Sequence, residues 1–188
     1  MPPTPIPTDP TEPDGRPKRP EPMLRVRNLK TYFELDEGTV KAVDGVSVAI
    51  GKSETLALVG ESGCGKTTLG RAMLRLVEPT GGEVEFDGQN VLEMGSKELR
   101  EFRRDAQAIF QDPYSSLNPR ATVNKIISEP LQIHKIATGK ARDNRVKDLL
   151  NMVGLNSNYA KRYPHELSGG QRQRIAVARA LASDPEFI

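Results

Sequence analysis

The sequence predicts an α/β fold with a parallel core sheet, an antiparallel β-subdomain near the N-terminus and a helical subdomain at about residues 112–164. Three observations carry this prediction. An apolar run at 55–59 leads through a glycine-rich loop into a helical pattern, as a buried strand followed by a helix would. Apolar and polar residues alternate before that run, as in half-buried antiparallel strands. Helical periodicity dominates residues 119–163.

Composition fits one ordinary globular domain, which we place at residues 23–188. The chain has 188 residues, of which 36% are hydrophobic and 28% charged, enough for a sizeable core. Its 27 basic and 25 acidic residues give a formal charge of +2, too balanced to indicate a nucleic-acid-binding surface. The single cysteine, Cys64, has no partner for an internal disulfide.

The sequence contains no candidate transmembrane span or export signal. Uninterrupted apolar runs are short, such as Leu56–Val59, whereas a transmembrane helix needs roughly 20 consecutive apolar residues. The N-terminus lacks the basic start and apolar core of a secretory signal. We therefore expect a cytoplasmic protein.

Residues 1–22 differ from the rest of the chain. They hold nine of the fifteen prolines and few large apolar side chains. Such a stretch buries too little surface to offset the entropy of ordering it. We expect a disordered, proline-rich tail, with a polyproline ligand for some partner as the alternative.

Strands and helices are predicted in order along the domain. Alternation at 24–27 and 46–50 predicts two half-buried strands, and a turn then leads to the apolar run Thr55–Val59, read as a buried strand. A helix is predicted at Lys66–Val77, ended by Pro79. The later elements are an antiparallel strand at Glu83–Asp87, a short strand at Ala106–Phe110 and the helices of the subdomain.

The loop Gly60-Glu-Ser-Gly-Cys-Gly-Lys-Thr-Thr68 fits the phosphate-loop pattern G-x-x-x-x-G-K-[ST] between a strand and a helix. Gly63 and Gly65 allow the backbone N–H groups and the helix start to approach phosphates closely. Lys66 adds a positive charge for the β- and γ-phosphates, and Thr67 offers a hydroxyl to Mg²⁺. The alternative is a glycine-rich turn that binds nothing. By itself the loop would serve a kinase, a GTPase or a transport ATPase.

A second constellation, Leu167-Ser-Gly-Gly-Gln171, opens an alanine-rich helix. Ser168 and Gln171 match a capping box, so a well-capped helix is the simpler interpretation. Two glycines in the first turn, Gly169 and Gly170, destabilise a helix. A backbone that must approach a ligand closely would explain their presence there. The pattern therefore favours an anion at this helix start.

Together the two constellations resemble the Walker A loop and the signature of ATP-binding cassettes. The resemblance implies a P-loop NTPase cassette that binds ATP and Mg²⁺ as a head-to-tail dimer, in which the signature of one subunit covers the ATP held by the phosphate loop of the other. It implies the following nucleotide-binding residues: Gly60, Glu61, Ser62, Gly63, Cys64, Gly65, Lys66, Thr67, Thr68, Ser168, Gly169, Gly170 and Gln171.

Three further residues carry roles only through this resemblance. Gln111 resembles the Q-loop glutamine, which would join Lys66 in catalysis and Thr67 at Mg²⁺. Phe33, or else Tyr32, resembles the aromatic residue that stacks on adenine. A surface glutamine and a core aromatic are the structural alternatives.

A narrower resemblance rests on the segments Gln111–Arg120 and Arg162–Arg174, which look like the peptide importer branch, including nickel and glutathione importers. It implies a membrane-associated ATPase at the inner face of the cell membrane that energises peptide import. Its partners would be a second, identical or similar ATPase, two permease subunits and, indirectly, a substrate-binding protein. The alternative is a non-transport ABC ATPase acting in DNA repair or on ribosomes.

The family also uses an Asp and a Glu at the end of the next buried strand, and later a switch histidine. The sequence stops at Glu186–Ile188, where an apolar run begins. We therefore expect a C-terminally truncated fragment that binds ATP but barely hydrolyses it. An inactive binding module is the remaining alternative.

Overall fold

The computed structural model describes residues 21–112 and 116–188, in two compact units. The β-unit comprises the described residues up to Met73 together with Val77–Leu92. The helical unit comprises Leu74–Leu76 and Glu93–Ile188. Residues 1–20 of the predicted tail lie outside the described residues, so the tail remains a prediction.

The β-unit is built on a four-stranded antiparallel sheet in the order β2-β1-β3-β4. Its strands are β1 (Leu24–Leu35), β2 (Gly38–Ile50), β3 (Gly81–Phe86) and β4 (Gln89–Asn90). These strands confirm the predicted antiparallel β-subdomain.

Register in the sheet follows the alternation seen in the sequence. Leu24 pairs with Ile50 of β2, and Val26 pairs with both Val48 of β2 and Val84 of β3. Leu24, Val26 and Val84 are at most 1% exposed. One face of β1 is thus buried where the apolar residues recur at every second position.

Helix α1 (Lys66–Met73) is shorter than predicted. The sequence pattern continues to Val77, but Arg75 has a φ of 48° and Leu76 is 45% exposed. A left-handed backbone conformation ends a right-handed helix, whatever the polarity pattern beyond it. The predicted C-terminal end of this helix is therefore wrong.

The apolar run Thr55–Val59 does not form the predicted strand. It has no regular secondary structure, and its residues are exposed, Val59 by 94%. A buried parallel strand needs hydrogen-bonded neighbours at its edges and covered faces. Among the described residues none pairs with this run. Local hydrophobicity alone was therefore insufficient to predict a strand.

The helical unit contains four α-helices of eight or more residues within its described part. They are α2 (Ser96–Asp105), α3 (Val123–Ile133), α4 (Gly139–Met152) and α5 (Gly169–Ala180), with 3₁₀ turns at Ser157–Lys161, Pro164–Glu166 and Leu181–Ser183. The helices α3 and α4 confirm the helical pattern predicted for residues 119–163. The fully buried side chains of this core are Val123, Ile127, Leu131, Val146, Leu149, Leu150, Ile175 and Ala178.

The predicted strand Ala106–Phe110 appears only as one parallel bridge, between Ala106 and Phe187. Gln107 N donates to the Phe187 carbonyl at 2.9 Å, and Phe187 N donates to the Asp105 carbonyl at 3.0 Å. Within the described residues this bridge is the only parallel pairing found. The strand predicted at 106–110 is therefore too long, because a β-ladder extends only as far as its partner strand does.

In the two described stretches, 21–112 and 116–188, we find no helix with the length and apolar character needed to cross a membrane.

The core of the helical unit provides a stability prediction. Leu149 is fully buried, whereas Met152, three residues later on the same helix, is 63% exposed. Leu149→Ala should lower the free energy of unfolding by about 2–5 kcal/mol, because it leaves a cavity. Met152→Ala should change it by less than about 0.5 kcal/mol. Chemical denaturation followed by circular dichroism measures both, and equal losses would contradict the assigned core.

Candidate functional site

The phosphate loop packs directly against β2. Gly63 and Gly65 have φ values of 82° and 92°, in the left-handed region that favours glycine. A Cβ atom on Gly65 would lie 2.1 Å from the carbonyl oxygen of Ala42, whereas one on Gly63 would meet nothing within 4 Å. The two glycines are therefore needed for different reasons: Gly63 for its backbone conformation, and Gly65 for close approach as well.

The Lys66 side chain folds back onto the loop. Its Nζ donates to the carbonyl oxygens of Gly60 at 2.9 Å and Glu61 at 2.6 Å, and lies 3.5 Å from Cys64 Sγ. These contacts hold one positive charge against the loop, and Lys66 also lines the cavity beside it. A concentrated anion placed there would meet this charge together with the backbone N–H groups.

A cavity of about 350 Å³ opens between the loop and β2. It is lined by Val40, Lys41, Ala42, Gly63, Cys64, Gly65, Lys66, Thr67 and Thr68. Helix α1 begins at Lys66, so the unpaired N–H groups of its first turn and its positive dipole end lie at this cavity. These hydrogen-bond donors and the positive helix end suit a phosphate ligand, as predicted.

The residues around the loop also fit a phosphate-bound Mg²⁺, because this ion takes few protein ligands when phosphate oxygens supply others. Thr67 contributes a hydroxyl at the helix start. No group of three or more His, Cys, Asp or Glu side chains that could hold a metal was found in the described part of the chain. Gln111, the other predicted ligand, belongs to the helical unit, so its shared role with Thr67 stays a prediction.

The two candidate aromatic residues have different surroundings. Phe33 pairs across the sheet with Val40, which lines the phosphate-loop cavity, and Phe33 is 39% exposed. Tyr32 Oη donates to Asp44 at 2.5 Å, and this hydrogen bond raises the pKa of the tyrosine above its usual value. Lys41 Nζ lies 5.3 Å from the Tyr32 ring centre. Both aromatic residues pair with a residue that lines the cavity, since the partner of Tyr32 is Lys41. Phe33 is the better candidate because it is the more exposed of the two, whereas the Tyr32 hydroxyl is engaged by Asp44.

The signature segment forms the N-terminus of α5, with the predicted capping box. Ser168 Oγ accepts from Gln171 N at 3.3 Å, and Ser168 N donates to Gln171 Oε1 at 3.0 Å. Ser168, Gly169 and Gly170 are exposed. A Cβ atom on either glycine would meet nothing within 4 Å. The helix start thus presents open backbone to its surroundings, as an anion site requires.

Sequence reasoning missed a buried arginine beneath this helix start. Arg172 is 8% exposed, and its Nε and Nη2 donate to the carbonyl oxygens of Pro164 at 2.8 Å and Leu167 at 2.5 Å. Arg172 was predicted only to lie on the alanine-rich helix. Its helical spacing of three from the buried Ile175 could have revealed this position.

A second missed residue is Tyr159, whose hydroxyl accepts from Gln171 Nε2 at 3.1 Å. Both side chains line a cavity of about 480 Å³ at the signature, together with Gly154, Leu155, Asn156, Ser168, Gly170 and Arg174. No sequence motif marks Tyr159. Only the folded helical unit brings it to Gln171, twelve residues later in the chain.

Gln111 is exposed and lies at a bend. Pro113, Tyr114 and Ser115, part of the segment that resembles peptide importers, lie outside the described residues. On the far side of that gap, Arg179 of α5 donates to the Ser116 carbonyl at 2.6 Å. Burial lowers the pKa of Arg179, and the charge of Glu129 opposes this shift. Arg179 therefore ties α5 to the segment that follows the predicted Q-loop.

The helical unit has a larger cavity, of about 660 Å³, away from the signature. Its walls combine apolar side chains, including Leu99, Phe110 and Ile133, with Arg100 and Arg103. None of the predicted site residues lines it, so its size is no guide to the predicted chemistry.

Comparison with known proteins agrees with both motifs. The model of the ABC transporter family matches residues 43–188. The chain is 61% identical over 170 residues to the oligopeptide transport ATP-binding protein OppF of Bacillus subtilis (strain 168), covering 89% of this chain and 56% of the relative. It is 54% identical over 175 residues to the glutathione import ATP-binding protein GsiA of Escherichia coli (strain K12), covering 89% of this chain and 28% of that relative.

Solved structures show the same cassette fold. The dimeric ATP-binding cassette MJ0796 in a post-hydrolysis state with ADP and Pi is 32% identical, with a TM-score of 0.79, and covers 87% of this chain and 71% of that chain. The predicted ABC cassette fold is thereby confirmed, whereas the predicted parallel core sheet appears among the described residues only as the Ala106–Phe187 bridge. The chain spans about half the length of the Bacillus subtilis relatives it matches.

The contact between Gly65 and β2 gives a prediction for the phosphate loop. Gly65→Ala should weaken ATP binding about tenfold or more, because the new Cβ collides with the Ala42 carbonyl and the left-handed φ is strained. Gly70→Ala is the matched control: it lies within α1 with nothing within 4 Å of the added atom, and should bind ATP normally. Titration with a fluorescent ATP analogue measures both. Normal binding by Gly65→Ala would contradict the observed loop geometry.

Proposed function

Because this chain belongs to the ABC transporter ATP-binding family, we propose that the protein binds and hydrolyses ATP to energise the import of peptides across the cell membrane. The observation that carries the proposal is the presence of two open helix starts, at Lys66 and Ser168, each built to face an anion. One would bind the triphosphate within a subunit, and the other would cover it from a second subunit.

In this proposal the phosphate loop binds the nucleotide. The N–H groups at the start of α1 and the Lys66 ammonium neutralise the β- and γ-phosphates, which carry the charge that grows during phosphoryl transfer. Phe33, exposed beside the cavity, stacks on the adenine ring. Lys66 therefore contributes both to binding and to the stabilisation of transferred charge.

Mg²⁺ would be held by the Thr67 hydroxyl and phosphate oxygens, with Gln111 as a second protein ligand. When bound, the ion neutralises charge between the β- and γ-phosphates. Gln111, at an exposed bend, would contact the ion or the attacking water.

We also propose a head-to-tail dimer. Ser168, Gly169 and Gly170 are exposed and present backbone at a helix start that carries no acidic residue in its first turn. The two MJ0796 structures, 32% and 34% identical to this chain, are described as dimeric. A second subunit's triphosphate, already partly neutralised by its own phosphate loop, would meet this surface and close the interface.

The cargo and partners follow from the relatives. Their names specify oligopeptide transport and glutathione import, so a peptide is the proposed cargo. Two permease subunits and a second ATPase, identical or similar, would complete the complex at the inner membrane face, with a substrate-binding protein delivering cargo. These relatives are named for transport, and nothing observed favours the non-transport alternative.

Two substitutions in the full-length protein test the two helix starts separately. Lys66→Ala should weaken ATP binding roughly 10- to 100-fold, because charge-assisted hydrogen bonds are lost. Gly169→Asp should leave ATP binding to the phosphate loop intact but reduce hydrolysis about 100-fold or more, because its carboxylate faces the partner's phosphates. The measurements are equilibrium binding of ATP and release of phosphate.

Two controls isolate these effects. Lys52→Ala removes an exposed lysine from a turn outside the loop and should leave both readouts unchanged. Gln173→Glu adds a carboxylate to an exposed position of α5, further from the helix start, and should retain hydrolysis. If Lys66→Ala binds and hydrolyses ATP like the unaltered protein, the proposed function is wrong.

A further inference from the structure

The amide of Gln171 is held at both ends. Its Oε1 accepts from Ser168 N at 3.0 Å, and its Nε2 donates to the Tyr159 hydroxyl at 3.1 Å. Rotating the amide by 180° would direct the NH₂ group at the Ser168 N–H, placing two donors face to face. The Tyr159 oxygen thus supports the single amide orientation that completes the capping box.

The Tyr159 ring is fixed independently of the signature. It belongs to the 3₁₀ turn Ser157–Lys161, whose start is capped by the Asn156 side chain accepting from Asn158 N at 2.8 Å. The ring packs against the core of the helical unit, and the Arg162 guanidinium lies 4.3 Å from its centre on the ring face. The hydroxyl is therefore presented from a preorganised position.

Orientation of Gln171 affects Ser168 directly. With the capping box closed, Ser168 N–H is satisfied by Gln171 Oε1, and Ser168 Oγ already accepts from Gln171 N at 3.3 Å. The Ser168 hydroxyl proton can then point outward from the helix start. An outward O–H is the donor that an approaching phosphate needs.

We propose that Tyr159 is a positioning residue for the signature: its hydroxyl holds the Gln171 amide in the orientation that keeps Ser168 ready to meet the second subunit's triphosphate. This inference rests on the proposed function, since the signature meets a nucleotide only in the dimer. Tyr159 itself touches no substrate. It contributes by reducing the rearrangement needed at the helix start when the two subunits close.

The test is a double-substitution cycle in the full-length protein. ATP-driven dimerisation is measured by analytical ultracentrifugation without Mg²⁺, for the unaltered protein, Tyr159→Phe, Gln171→Ala and the double variant. Phe keeps the ring and its contact with Arg162 while removing the hydroxyl. Tyr159→Phe should weaken the dimer roughly three- to tenfold when Gln171 is present, and less than about twofold when it is absent.

Further readouts separate positioning from a purely structural role. ATP affinity of the monomeric phosphate loop should be unchanged in Tyr159→Phe. The matched control Tyr163→Phe removes a hydroxyl from the same segment, where the ring stacks on His165 at 5.6 Å, and should dimerise normally. A purely structural Tyr159 would instead lower the melting temperature and weaken the dimer equally in both Gln171 backgrounds.

The possible outcomes distinguish the positioning role of Tyr159 from the proposed function. Equal effects of Tyr159→Phe in both backgrounds, or no effect in either, overturn the positioning role while leaving the proposed function intact. Failure of the unaltered protein to dimerise with ATP overturns the proposed dimer and the positioning role with it. A background-dependent loss, with normal dimerisation of Tyr163→Phe, supports both.

Discussion

The proposed phosphate site depends on the close approach of the loop to β2. A Cβ atom at residue 65 would lie 2.1 Å from the Ala42 carbonyl, so the loop can follow its observed path only with glycine there. This path sets where α1 begins, and therefore where its unpaired N–H groups and the Lys66 ammonium lie. In the proposed function, electrostatic neutralisation of phosphate thus follows from a backbone contact that involves no charged group.

The signature helix start is supported in a different way. At the phosphate loop the glycines let the chain bend and approach β2, whereas at α5 they leave the first turn open. The surrounding side chains then provide rigidity: the capping box, Arg172 beneath the turn and Tyr159 beside Gln171. A buried arginine that donates to the Pro164 and Leu167 carbonyls fixes the segment entering the helix without placing an acidic side chain at the proposed anion-binding surface.

Prediction from sequence succeeded where local periodicity and local structure agree. The antiparallel strands and the helices α3 and α4 each show clear alternation or helical spacing, and each packs within its own unit. It failed for Thr55–Val59 and for most of Ala106–Phe110, because a parallel strand forms only with partners distant in sequence. The end of α1 also differs, because a left-handed Arg75 depends on packing that the polarity pattern does not encode.

The sequence by itself determined the chemistry of the candidate site. Fixed spacing within Gly60–Thr68 and Leu167–Gln171 specifies glycines, a lysine and hydroxyls at two helix starts, since these features lie within a few residues of one another. Only the tertiary structure decided which neighbours hold those groups in place. Tyr159 and Arg172 make their hydrogen bonds because helix packing brings side chains and carbonyls together across turns. Such bonds depend on distance in space rather than on separation along the chain.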